Sequence, residues 1–168
     1  MSFIDEKYLA LFISNWSEAI RTAQRLKSSL ARLNQTFPLN EHVLANADDD
    51  LFDKLDAFRV RFSDLQDCTG NKLFRGLLKL EDEKVFAMPD ILNAIEKRGI
   101  FDSVQQWKTI REVRNSFLHD YPETETETEN EKVETLNLAY KTAPELLLVI
   151  TNIQQYLKRY QIKLENIK

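Results

Sequence analysis

Little in this chain can turn a backbone. Its 168 residues include only three glycines and four prolines, so tight turns are scarce and long helices follow. Cysteine is nearly absent. Cys68 stands alone, which excludes an internal disulfide and any cysteine-rich metal site and fits a reducing cytosol. No apolar run approaches the roughly 20 residues of a membrane span. The opening Met-Ser-Phe-Ile-Asp-Glu lacks the basic start and apolar core of a signal peptide. The expectation is a soluble cytoplasmic protein with no membrane partner. Excess positive charge is missing too: the formal net charge is −4. That argues against a generic, salt-driven nucleic-acid binder, but leaves room for positive charge confined to a cleft. Histidine is limited to His42 and His119.

What is present reads as helix. The length suits a single domain, 1–168, able to bury a core. Phe3 to about Gln35 carries Leu9, Phe12, Ile13, Trp16, Ile20, Ala23, Leu26, Leu30 and Leu33 at spacings of threes and fours, which predicts one long helix ending at Phe37-Pro38. A loop containing His42 follows, and Asp48-Asp49-Asp50 reads as the N-terminal cap of a second helix, Leu51 to Gln66. Phe52, Leu55, Phe58, Phe62 and Leu65 are expected on its buried side. A break or kink is expected at Asp67–Asn71, then helix over Lys72–Leu80. Met88-Pro89-Asp90 opens a helix that reaches Lys97 and is closed by Gly99. Asp102 or Ser103 caps a helix with Val104, Trp107, Ile110, Val113, Phe117 and Leu118 as its apolar face, stopping at Pro122. Residues 123–130, an alternating Glu/Thr run, read as an acidic solvent-exposed loop. A last helix runs from about Glu131 to Leu164, with a kink near Pro144. Nothing alternates at period two. The fold class is all-α, an antiparallel bundle of about five helices.

The densest chemistry lies in Arg114-Asn-Ser-Phe-Leu-His-Asp-Tyr121. An imidazole can move a proton near neutral pH, and a guanidinium can hold charge developing on a phosphate. Together they can run phosphodiester chemistry without a metal. At about 100° per residue, Arg114 and Tyr121 fall within about 20° of each other on a helix surface. Asn115 and His119 stack on the adjacent strip, with Arg111 one turn earlier and Lys108 upstream. The pattern predicts a cationic ridge on an acidic protein.

The spacing Arg114-x4-His119-x-Tyr121, with polar Asn115 after the arginine, resembles the signature of the HEPN superfamily and most closely its HepT-type branch. That resemblance implies a small helical protein, a two-fold homodimer, that cuts RNA (transfer RNA is one candidate) without metal or cofactor. It also implies a toxin silenced by a cognate nucleotidyltransferase antitoxin that transfers AMP onto Tyr121. On this reading the ribose 2′-hydroxyl attacks phosphorus to leave a 2′,3′-cyclic phosphate. His119 is the general acid or base, with a second copy supplied by the dimer. Arg114 braces the phosphorane, Asn115 orients phosphate or imidazole, and Arg111 and Lys108 bind substrate. Asp64 or Asp67 could orient Arg114 or His119, Asp64 being the candidate acid.

Other readings of the same residues stay open. Arg114 could pair with acids on a neighbouring helix, and Tyr121 could be a half-buried ring. Instead of an enzyme, the chain could be a non-catalytic HEPN-like partner that binds substrate for, or regulates, a nucleotidyltransferase. A purely structural helical dimer is a third reading. His42 reads as solvated. Cys68, with no histidine near it, reads as a small buried residue rather than a nucleophile.

Overall fold

The computed structural model describes residues 4–118 and 128–168. Among them there is helix and no strand, in the order α1 (Leu9–Leu33), α2 (Glu41–Ala45), α3 (Asp49–Cys68), a π-helical turn (Thr69–Leu73), α4 (Phe74–Leu80), α5 (Met88–Lys97), α6 (Val104–Leu118) and α7 (Glu129–Leu157). Short 3₁₀ turns precede α1 and follow α7. The helices form a bundle whose neighbours run antiparallel. Cys68 lies near Asn15, while Arg61 reaches back to Ser29, so α3 descends along α1. Asp67 meets Arg114 and Phe62 meets Phe117, so α6 runs opposite to α3.

Local chemistry explains most boundaries. Asp48 accepts a hydrogen bond from the Leu51 amide at 2.8 Å, with Asp49 and Asp50 in the first turn, so α3 starts at the acidic cluster itself. Pro89 occupies the first turn of α5, and Gly99 ends the helix at φ +71°. Ser103 Oγ accepts from the Gln106 amide at 3.1 Å, which identifies it as the α6 cap. Thr128 and Glu131 cap α7 reciprocally. That helix therefore begins at Glu129, two residues before the expected start and inside the run read as loop.

Four expectations need correction. Residues 41–45 are helical, with Asn40 as cap, so His42 lies on α2 and not in a loop; it is exposed and close to Asn46. The break at 67–71 is a widened turn that keeps the path helical from α3 into α4. Thr69 Oγ donates to the Leu65 carbonyl at 2.6 Å there, and Gly70 lets Trp107 approach: a Cβ at 70 would lie 3.2 Å from its Cζ2. Phe52 and Ile13, expected inside, are 44% and 39% exposed. The last helix stops at Leu157, not Leu164. Gln161 adopts φ +57°, and the tail returns along α1, where Trp16 Nε1 donates to the Glu165 carbonyl at 2.9 Å. Helix does continue through Pro144.

The core joins all the long helices. Phe12, Trp16, Phe58, Phe62, Phe74 and Trp107 are buried at 1% exposure or less. Phe74 and Phe101 pack on Trp107 with centroids 4.7 and 6.0 Å away, fixing α6 against the π turn. No helix among the described residues is long and apolar enough to cross a membrane.

Candidate functional site

α6 presents its residues in layers. Trp107, Ile110 and Val113 face the core, and Phe117 meets Phe62 edge-on at 5.8 Å. The same rotation leaves Lys108 and Arg111 exposed and Arg114 and Asn115 half-buried. His119 and Tyr121 lie outside the described residues, as does Pro122.

Arg114 is oriented from both sides. Its Nη2 donates to Asp67 Oδ1 at 3.1 Å, and its Nη1 donates to Asn115 Oδ1 at 3.1 Å. Asn71, one turn beyond Asp67, donates to the same carboxylate oxygen at 2.8 Å. Arg114 Nε is buried with no hydrogen-bond partner among the described residues. A guanidinium carries more N–H donors than these bonds consume. The arginine is thus fixed in place, with donors in reserve. The side chains of the pair are 25% and 50% exposed, so the pairing contributes little to stability.

A narrow cleft opens beside this pair. Gln66, Asp67 and Asn71 line one side and Arg111 and Arg114 the other, with Trp107 and Met88 also on its walls. Arg111 and Arg114 are therefore brought together on one wall. Lys108 is exposed, outside this cleft lining. The acid on Arg114 is Asp67. Asp64 lies almost one turn earlier on α3, exposed, in a groove with Thr22, Arg25 and Arg61. Sequence reasoning did not single out Asn71 or Gly70 for this site. The available signal was the spacing of Asp67 and Asn71, four apart on one helical strip.

Cys68, next to Asp67, points away from this chemistry. Burial first, then the negative charge of Glu18, pushes its thiol up to about 11. It stays protonated near neutrality and donates weakly to the Asn15 carbonyl.

A second polar cluster lies away from this cleft. Glu81 accepts hydrogen bonds from Arg98 Nε (2.8 Å), Tyr156 and Tyr160, and Arg98 also pairs with Glu83. Burial alone would raise the Glu81 carboxyl, but these bonds outweigh it and hold the group below its ordinary range. Burial, reinforced by the bond to Glu81, raises both tyrosines. All three guanidinium nitrogens of Arg98 are engaged inside the protein, tying α4, α5 and the end of α7 together.

Comparison with protein-family models, with curated proteins and with solved structures finds no match for this chain.

Proposed function

We propose that the protein is a metal-independent endoribonuclease of HEPN type, acting as a two-fold homodimer around the Arg114 cleft. The observation that carries this reading is Arg114 itself. It is half-buried, oriented by Asp67 and Asn115, and set beside Arg111 in a cleft where a phosphate would find unused guanidinium donors. His119 enters from the sequence, five residues further along.

In the reaction the ribose 2′-oxygen forms a bond to phosphorus as the bond from phosphorus to the 5′-oxygen breaks. One His119 takes the 2′-hydroxyl proton, and the His119 of a second copy protonates the departing 5′-oxygen. Arg114 stabilises the charge on the phosphorane. The products are a 2′,3′-cyclic phosphate and a 5′-hydroxyl. Tyr121 is the proposed point of control. AMP placed there by a cognate nucleotidyltransferase would add negative charge and bulk beside the cleft and keep RNA out.

The test is incubation of end-labelled RNA with purified protein in excess chelator. The proposal expects cleavage with cyclic phosphate ends and a loss of at least about 100-fold in His119→Ala, the low end of acid–base catalysis. No cleavage, or undiminished cleavage by the variant, refutes it. Stable binding to a nucleotidyltransferase without cleavage would instead favour the non-catalytic partner.

A further inference from the structure

We propose that the outer face of α4 and the loop after it form a track for single-stranded RNA that leads into the Arg114 cleft. The inference rests on the ribonuclease reading for its substrate, but on different residues for its support.

Three depressions lie in sequence along this face and share walls. Asn71 belongs both to the Arg114 cleft and to a second depression containing Arg75 and Lys79. Tyr8, Arg75 and Lys79 belong both to that one and to a third, which extends to Lys84 and Phe86. Shared lining residues place the three side by side along this face. Arg75 and Lys79 are four residues apart on α4, a step of about 6 Å along the helix, and Asn71 precedes them on the π turn. That step is close to the separation of neighbouring phosphates in an extended strand.

Charge and exposure agree. The chain as a whole carries −4, yet Arg111, Arg75, Lys79 and Lys84 follow one another along this face. Of the acids that line the three depressions, Asp67 is paired with Arg114 and Glu83 with Arg98, which leaves Asp82, while Glu18 nearby is paired with Lys72. At the far end Phe86 is 82% exposed. Its loop is not loose. Arg75 Nη1 donates to the Phe86 carbonyl at 3.1 Å, and the Glu83 amide donates to the Leu78 carbonyl at 2.9 Å. The backbone is thus fixed while the ring stands in water. An aromatic face on an anchored loop, flanked by cations, suits stacking of an unpaired base. A duplex keeps its base faces covered and gains nothing from Phe86, which is why the track selects single strands.

The test measures binding of a short fluorescent oligouridylate by anisotropy, in the His119→Ala background so that the RNA survives. Lys79→Glu with Lys84→Glu should weaken binding by more than about tenfold and flatten its salt dependence. Phe86→Ala should weaken it about tenfold, the value of one stacked base, with an unchanged melting curve because the ring packs on little. Parent-like affinity in both variants overturns the proposal, as does parental protein that binds no RNA. Competition by polyglutamate that is indifferent to Phe86→Ala would make the face a site for acidic peptide and also overturn it. Wild-type cleavage together with parent-like affinity in these variants retains the nuclease and removes the track. Affinity lost at these residues in a protein that cuts nothing does the reverse.

Discussion

Arg98 and Arg114 are each held by a carboxylate, at 2.8 and 3.1 Å, and differ in nearly everything else around them. Arg98 and Glu81 have side chains only 14% and 13% exposed. All three guanidinium nitrogens of Arg98 donate, to Glu81, Glu83 and the Ala94 carbonyl. Arg114 is nearly twice as exposed, and its Nε finds no partner among the described residues. The first cluster uses every nitrogen of its guanidinium in holding helices together. The second uses one hydrogen on each terminal nitrogen and keeps the others beside an open cleft, where a ligand could meet them. An ion pair alone identifies neither role; the exposure of the pair and the cleft beside it separate them.

The comparison breaks most visibly at Arg98. Arg98→Ala strands a largely buried carboxylate and should cost roughly 3 kcal/mol in urea denaturation. A loss below about 0.5 kcal/mol would put Arg98 in the class of surface pairs. Next comes the acid limb of stability. Because Glu81 is held below its ordinary value of 4.5, its contribution is fully present above that pH and lost as pH falls below it through the folded-state value. The stability gap between wild type and Glu81→Gln should therefore hold steady from neutrality to near pH 4.5 and narrow on further acidification. A gap that widens on acidification would contradict the assignment. The smallest stability effect is expected at Asp67→Asn, within about 1 kcal/mol of wild type, since the pair is exposed. The same change should slow RNA cleavage about tenfold, the worth of one weakened charge-assisted hydrogen bond. A melting temperature that drops while cleavage is untouched would make Asp67 a structural partner only.

The sequence was legible where a local signal decides the structure. Asp48, Pro89, Gly99 and Ser103 mark helix ends by chemistry acting within a turn, and the structure keeps them. It misled where tertiary contacts decide. Gly70 reads as a breaker, but its missing side chain makes room for Trp107. The last helix was expected to reach Leu164, yet Ile162, Leu164 and Ile167 pack on the core as a returning tail. Phe52 and Ile13 fit the apolar spacing of their helices and still face outward, because the buried stripe is narrower than the pattern. At the site, the strip of Arg111, Arg114 and Asn115 was readable from helical geometry, and so was the possibility that Asp67 orients it. The Arg98 cluster was not. Glu81, Arg98, Tyr156 and Tyr160 are far apart in the chain and meet only through packing. The row of depressions beyond Asn71 was equally hidden, because Tyr8 and Phe86 approach α4 from opposite sides in sequence.

The most direct test of the division between the two arginines is the cleavage rate of Arg114→Ala on labelled RNA in excess chelator. The account predicts a fall of about 100- to 1,000-fold, the usual cost of deleting a group that stabilises transition-state charge, with no change in melting temperature. A rate indistinguishable from wild type would contradict it.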